Sequence, residues 1–442
     1  MKWKVGGFLF LSWLFLSVWP LSAQEAYEVD LPEIEKEIKR TAEKPYSLGG
    51  FGEFEPLVFG LDRDATFYRL RFFDRDEGEV LDQYDFRLRP EGTYRKGMLS
   101  LFARVDIPIR YDYRGWDSEV VLFEGVASLK PHPGFTLEVG KKVIKWGKGY
   151  AWNPVAFVDR PKDPEDPEEA LEGFYLATAN IIRSFAGPLK TVALTPVLLP
   201  VYNKVNDEFG GLQQVNFAAK LYLLLYDTDI DFMVFTGGSR TTRYGVDFAK
   251  NLRSNFEIHG EGALINDFET AVMNERGERS LRKADVMSYL LGLRYLTQQE
   301  TTFILEYYRN STGFTREEMG DFFRFVDTSY ERFVQTGEES GLRRGLQLEK
   351  AYGRPNPMRH YLYFRASQKE PFDILYFTPA LTSIVNITDG SFSLIPEFAY
   401  SPRTNLELRL RGAVLVGGKN TEYGEKQNDY RLELRVRYHF SW

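Results

Sequence analysis

The chain has 442 residues, a formal net charge of −7 at pH 7 and no cysteine. The lack of cysteine excludes a disulfide-stapled scaffold and a lipoprotein, which needs a lipidated Cys, and the acidic balance argues against a nucleic-acid partner. Aromatic residues make up 15% and charged residues 27% of the chain, which is typical of a transmembrane β-barrel, whose individual strands give weak signals.

The N-terminus has the features of an export signal. Lys2 and Lys4 precede the apolar run GGFLFLSWLFLSVWP, and the small residue Ala23 follows it. This pattern predicts a signal peptide over residues 1–23, with a single N-terminal membrane anchor as the alternative. No later stretch approaches ~18 apolar residues, so the sequence predicts no further transmembrane helix.

Residues 24–45 are predicted to form a periplasmic N-terminal segment. In YEVDLPEIEKEIKRTAEKP, Asp30 can cap a helix, Pro32 fits its first turn, and apolar residues recur at helical spacing. We expect a short amphipathic helix that braces or plugs the following domain, and a loosely ordered leader is the alternative.

The closing stretch YRLELRVRYHFSW shows the pattern that dominates the rest of the chain. Every second residue from Tyr430 to Trp442 is apolar or aromatic, and the residues between them are polar. Successive side chains of a strand point to opposite faces, so the pattern indicates one two-faced strand. Its length exceeds the mean soluble strand of about 5–6 residues but suits a tilted strand that crosses a bilayer, which needs roughly 9–11 residues.

Runs of this kind predict an all-β fold over residues 46–442, a transmembrane antiparallel up-and-down β-barrel. Eighteen strands are favoured because single-chain bacterial barrels have an even number, and sixteen is the alternative. Residues 47–59 also resemble a strand but are left out because they would break the parity. The predicted strands are 64–73, 81–89, 96–111, 118–130, 134–146, 173–185, 189–201, 213–226, 229–238, 253–264, 268–275, 285–296, 301–309, 341–351, 358–368, 389–400, 404–416 and 430–442.

The connections alternate between short turns and long loops. In such barrels the short turns lie on the periplasmic side and the long loops lie outside the cell. The predicted periplasmic turns are 130–134, 186–189, 227–229, 297–300, 354–357 and 401–405. The predicted outer loops are 147–172, 310–340, 369–388 and 417–429.

The alternation places many arginines on the inner face. An arginine that faces lipid at mid-bilayer would cost roughly 2–4 kcal/mol, so we expect these residues to line an aqueous lumen, which a barrel of 16–18 strands is wide enough to leave. The acidic runs 159–173 and 315–321 fall in loops that are predicted to lie outside. The predicted pore-lining residues are Arg69, Arg71, Arg87, Arg104, Arg294, Arg365, Arg409, Arg411, Arg431, Arg435, Arg437, Glu407 and Glu433.

This charged wall predicts a passive channel for small hydrophilic solutes. Arginine attracts anions and binds carboxylates through paired hydrogen bonds, so anionic or saccharide-like solutes are the narrower hypothesis. The alternative is that the arginines and glutamates pair across neighbouring strands and only rigidify the wall.

The stretch LEVGKKVIKWGKGYAWNPV (137–155) differs from the strands around it. Its glycines permit sharp bends and Asn-Pro favours a turn, so the stretch could belong to a loop that folds into the pore and narrows it. The alternative is that its tryptophans are ordinary aromatics of the outer membrane interface. The candidate constriction residues are Lys145, Trp146, Lys148, Trp152 and Asn153.

Three stretches resemble a known group of proteins. GKKVIKWGKGYAWNP, LGLRYLTQQETTFILEYYRNSTGF and the closing hairpin resemble Gram-negative outer-membrane porin-like barrels, broadly of the alginate-export type. The resemblance implies a location in the cell outer membrane, among lipid and lipopolysaccharide, and recognition of Phe440 and Trp442 by the barrel-assembly machinery. Many such chains end in Phe, so the terminal Trp is a departure. No pore residue of the alginate exporter can be matched here.

The alternative functions are an outer-membrane barrel enzyme, such as a hydrolase, and a structural or adhesion barrel with a closed pore. The sequence contains no G-x-S-x-G or H-E-x-x-H motif, and we predict no catalytic residue, metal or cofactor. His259 lies between Glu257 and Glu261 on a predicted inward face. Such a run can bind a metal or act as a base, but it is more often a hydrated part of a charged lumen.

Overall fold

The structure is a computed structural model that describes residues 44–442. The predicted signal peptide and nearly all of the predicted periplasmic segment lie outside the described residues. Within those residues, no helix combines the length and the apolar character that a membrane crossing requires.

Nineteen strands form one antiparallel sheet. The first strand, β1, pairs with β2 on one side and with the last strand, β19, on the other, so the sheet closes into a barrel. The short β4 and the longer β5 both pair with β3 and together form one strand of the wall. The wall therefore has the predicted eighteen strands. Their bounds are β1 (Tyr46–Leu61), β2 (Val80–Lys96), β3 (Leu99–Asp112), β4 (Gly115–Ser118), β5 (Val121–His132), β6 (Phe135–Lys142), β7 (Phe174–Ser184), β8 (Leu189–Val201), β9 (Gln214–Leu225), β10 (Thr228–Thr236), β11 (Arg243–Arg253), β12 (Phe256–Met273), β13 (Arg279–Leu296), β14 (Thr301–Arg309), β15 (His360–Gln368), β16 (Phe377–Asn386), β17 (Phe392–Arg403), β18 (Leu406–Val416) and β19 (Asn428–Ser441).

Three longer helices lie in connections at one end of the barrel: α1 (Thr66–Phe72), α2 (Arg316–Thr336) and α3 (Ser340–Tyr352). They pack together through buried residues that include Leu70, Phe323 and Leu342. The acidic run 315–321 forms the start of α2, where acidic side chains favour the positive end of the helix dipole. Thr315 and Glu318 complete a reciprocal capping box there.

The predicted strand count is right, but three of its members are wrong. Predicted strand 64–73 contains α1, predicted strand 341–351 lies within α3, and predicted strands 253–264 and 268–275 are parts of the single long β12. The strands β1, β11 and β16, which were not counted, replace them. The predicted outer loop 369–388 is wrong, because it contains β16, and its first part joins β15 to β16 at the end of the barrel where the short turns lie.

Most of the predicted short turns connect neighbouring strands at one end of the barrel, as expected, and Tyr46 and Ser441 lie at that same end. The predicted turn 354–357 is the exception, because it follows α3 at the opposite end. We call these two ends the short-turn end and the long-loop end.

Candidate functional site

The loop between β6 and β7, residues 143–173, folds into the barrel, and we call it the inner loop. Its first part contacts inward-facing side chains of β10, β12 and β14. Its acidic part contacts arginines of β2, β18 and β19 on another part of the wall. The inner loop therefore crosses the lumen from one wall to another.

Two buried carboxylates hold the first part of the inner loop. Glu261 of β12 accepts hydrogen bonds from the backbone N–H groups of Lys148 (2.6 Å) and Gly149 (2.5 Å). Glu306 of β14 accepts from those of Tyr150 (2.5 Å) and Ala151 (2.9 Å). A buried carboxylate is tolerated only when it is hydrogen-bonded. The wall carboxylates and the loop N–H groups therefore supply each other's hydrogen-bond partners.

Glycines make this close approach possible. Gly147 has a φ of +99°, in the left-handed region, and a Cβ there would lie 2.7 Å from Glu261 Oε1. A Cβ on Gly149 would lie 2.0 Å from the carbonyl oxygen of Trp152. The two glycines of the W-G-K-G run are thus required because the backbone bends closely around the Glu261 carboxylate.

The candidate constriction residues lie in or beside this part of the inner loop. Trp146 and Trp152 are buried within the barrel, and the Nε1 of Trp152 donates to Asn356 Oδ1 (3.0 Å), so the interpretation as interface aromatics is wrong. Lys148 Nζ lies 3.0 Å from an Oδ atom of Asp231 on β10. The remaining two are exposed Lys145, which lines a cavity beside β12 and β13, and Asn153, whose amide donates weakly to the carbonyl of Trp146.

Apolar packing fills one side of the lumen. The inner-loop residues Trp146, Val155 and Phe157 cluster with the inward residues Val197 of β8 and Phe235 of β10, all of them buried. The lumen is therefore not open throughout, because this side is filled by apolar side chains.

The acidic part of the inner loop binds the predicted pore arginines. Asp166 Oδ2 lies 2.8 Å from Arg409 Nη1, 3.1 Å from Arg411 Nη2 and 2.9 Å from Arg435 Nη2. The prediction that run 159–173 lies outside the barrel is wrong. Two further pairs join the same loop to the wall, Glu165 with Arg431 (2.8 Å) and Glu169 with Arg87 (3.0 Å).

The same arginine rows also pair with carboxylates of neighbouring strands, as the alternative interpretation expects. Arg409 contacts Glu433 (N–O 3.0 Å) and Arg411 contacts Glu397 (2.8 Å). Further pairs are Arg365 with Glu397 (3.0 Å), Arg437 with Glu53 (2.6 Å), and Arg104 with Glu91 (2.7 Å) and Glu124 (2.8 Å). Glu407 lies opposite Arg437 in the strand register, and Arg294 lies opposite Glu257.

Arg69 and Arg71 lie elsewhere, on α1 at the long-loop end. Arg69 pairs with Asp327 of α2 (N–O 3.2 Å), and Arg71 pairs with Glu349 of α3. The assignment of these two residues to a strand wall is wrong, because residues 66–72 form a helix. They join the three helices to one another.

Two cavities meet beside the acidic part of the inner loop. The cavity toward the long-loop end has a volume of about 510 Å³, and the one toward the short-turn end about 660 Å³. Asp166 and Glu169 line both, so these two residues lie where the cavities adjoin, and we call this place the constriction. Ten acidic side chains and five arginines line the first cavity, so its wall carries no surplus of positive charge.

His259 is buried and does not belong to a hydrated lumen surface. Its ring is buried, and its Nε2 lies 2.8 Å from Glu306 Oε1, the same carboxylate that holds the inner loop. Within residues 44–442, no three His, Asp or Glu side chains form a group that could hold a metal ion.

Sequence reasoning missed the partners in the site. Glu261 and Glu306 read as ordinary inward acids, and the acids of 165–169 read as solvated loop residues. The available signal was the length of the inner loop together with the many inward arginines, because buried arginines require counter-charges.

No protein-family model and no curated protein matches the sequence, but solved structures do. OccK11 (OpdR) of Pseudomonas aeruginosa is 15% identical, with 90% of this chain and 98% of that chain covered and a TM-score of 0.50. OccAB2 of Acinetobacter baumannii is 11% identical, with 90% and 98% covered and a TM-score of 0.53. OccK2 (OpdF) of P. aeruginosa in complex with glucuronate is 9% identical, with 90% and 96% covered and a TM-score of 0.51. The similarity shows that the chain has a porin-like β-barrel fold.

Proposed function

We propose that the protein is a channel in the outer membrane of a Gram-negative bacterium, through which small hydrophilic solutes pass passively. The constriction carries this proposal: two cavities of about 510 and 660 Å³ share Asp166 and Glu169 inside a closed eighteen-strand barrel. Barrels of this size leave an aqueous channel when their interior is not filled.

The outer surface supports the membrane setting. Large apolar side chains on the outward face of successive strands, among them Leu291, Leu305, Phe364 and Leu432, are exposed. Such a band is favourable in contact with acyl chains and would be costly in water. Surrounding lipid and lipopolysaccharide are part of this proposal.

The solute class is a narrower proposal. We infer that sugar acids or other small carboxylates pass along Arg409, Arg411 and Arg435, because guanidinium groups bind carboxylates in paired geometry. The solved complex of OccK2 with glucuronate makes this class the first to test. The alginate-export subtype stays a prediction.

The C-terminus is proposed as the signal for the barrel-assembly machinery. Phe440 and Trp442 lie at the short-turn end, their ring centroids are 5.1 Å apart, and Trp442 is exposed. A pair of aromatic rings at the end of the last strand offers an accessible apolar contact.

Planar-bilayer recording of the purified full chain tests the channel. We expect stable conductance steps in KCl, and reversal potentials in a salt gradient will report the ion preference. A barrel that inserts but never conducts would contradict the proposal and favour the closed structural barrel. We also expect no hydrolysis of lipid or peptide substrates by the same preparation.

A further inference from the structure

A fourth cavity, of about 430 Å³, lies at the long-loop end of the barrel, bounded by the inner loop and β11, β12 and β14. We call it the basic cavity. Five cationic side chains from three segments of the chain line it, with two acidic ones, Asp159 and Glu208. The cationic residues are Arg160, Lys162, Arg240, Arg243 and Arg354.

Most of these cations have no counter-charge. Arg160 pairs with Glu208 (N–O 2.6 Å), but across residues 44–442 the other four form no salt bridge with any carboxylate. The Nε of Arg243 is buried and has no hydrogen-bond partner among residues 44–442. The arginine rows at the constriction, by contrast, are paired with carboxylates on several sides.

The second acidic group is already engaged. Asp159 accepts hydrogen bonds from the backbone N–H groups of Ile144 (2.8 Å) and Trp146 (3.2 Å), and burial raises its pKa to about 7. Burial and the nearby charges of Arg243 and Arg160 lower the pKa of the Arg240 guanidinium. The cavity therefore holds crowded positive charge that an anion would relieve.

The walls between the cations are aromatic. Trp152, Phe174, Phe268 and Tyr308 line the cavity. Beside it, the guanidinium of Arg240 lies 3.7 Å from the centroid of the Phe209 ring. Aromatic faces favour a flat or ring-shaped body over a small hydrated ion.

We propose that the basic cavity is a binding site for small organic dianions that carry a ring, such as an aromatic dicarboxylate. Arg243 and Arg354 bind the anionic groups, and the aromatic walls hold the ring. The site is distinct from the constriction and does not require that the barrel conduct.

Isothermal titration of the detergent-solubilised full chain with phthalate tests the site, with uncharged phthalamide as the ligand control. We expect saturable binding of one phthalate per chain and none of phthalamide. R243Q and R354Q should each weaken phthalate about tenfold, because each removes one charge-assisted contact. The matched control is R343Q, which removes an exposed arginine on α3 and should leave the affinity unchanged.

Absence of saturable phthalate binding would overturn the proposal, as would unchanged affinity in both R243Q and R354Q or an equal loss in R343Q. Circular dichroism confirms that each variant retains the barrel, and R354Q, at an exposed loop position, serves if R243Q does not fold. Conductance of the same preparations is recorded separately. A barrel that binds phthalate without conducting would refute the channel and keep the site.

Discussion

Asp166 offers the arginine rows the same chemical group that a carboxylated solute would bring. Its carboxylate lies within 3.1 Å of nitrogens on Arg409, Arg411 and Arg435. A solute carboxylate that binds there has to share or replace these contacts. The capacity of these arginines to bind anions is therefore set by the loop as much as by the wall.

Replacing Asp166 by asparagine removes one negative charge at the constriction and leaves the size of the side chain almost unchanged. We expect the anion-to-cation permeability ratio to rise about two- to threefold, because the freed guanidinium groups attract anions. Reversal potentials in a KCl gradient measure this ratio. D163N is the control, since Asp163 lines the same cavity and forms no salt bridge within residues 44–442. An equal shift in D163N would contradict the role of Asp166.

Glu306 accepts hydrogen bonds from two loop N–H groups and from His259. In E306Q the amide NH₂ would face one of these donors, and we expect a loss of roughly 1–3 kcal/mol in the free energy of unfolding. Denaturant unfolding in detergent measures the loss. Single-channel records should also become noisier as the loop loosens. E269Q, at a half-exposed residue that pairs with Lys283 (3.1 Å), should change neither quantity.

Glu422, in the loop between β18 and β19, is a buried acid whose pKa burial raises to about 7. The folded protein therefore binds this proton more tightly than the unfolded chain does. The contribution of Glu422 to stability is full below its unfolded pKa of about 4.3 and is lost as the pH rises through 7. We expect the melting temperature to fall between pH 5 and pH 8, and to fall less in E422Q. An identical slope in E422Q would contradict this assignment.

At the scale of elements, the inner loop depends on a few backbone positions. G149A places a Cβ where the carbonyl of Trp152 lies, so we expect the loop to shift off Glu261, with a conductance that differs clearly from that of the unchanged chain. G418A is the control, because a Cβ there meets nothing within 4 Å. Single-channel conductance measures both, and equal values for the two variants would contradict the expected clash.

The alternating pattern predicted strands well where one face is apolar and the other carries charged groups, as in β14, β18 and β19. It failed where apolar residues occur on more than one face. In α1, Tyr68, Leu70 and Phe72 alternate like a strand, but they are buried among the other helices and the barrel wall. A short apolar run fits both periods, and the tertiary contacts decide between them.

The inward direction of the arginines could be predicted, but their partners could not. Asp166 and Arg409 are far apart in sequence, and no periodicity within a strand reports which loop will fill the lumen. The glycines and Asn-Pro of 147–154 indicated a bend toward the pore. The acids that follow them were assigned to solvent because charged runs are usually solvated.

At the scale of the whole molecule, closure is more strongly determined than the identity of each strand. The predicted count of eighteen survived the replacement of three strands, because parity and membrane-crossing length constrain the total. The distribution of charge inside the barrel depends instead on how the inner loop divides the lumen. On one side, the wall of the first cavity carries more acidic side chains than arginines, and on the other side lies the basic cavity.

The pairing of β1 with β19 also has a consequence for how the protein is made. Glu53 and Arg437 lie opposite each other across that seam, so the wall cannot be completed until the final strand has been synthesised. A nascent chain that stops before β19 would present two open edges, which are templates for aggregation. The chain is therefore exposed to aggregation until its last strand pairs with β1.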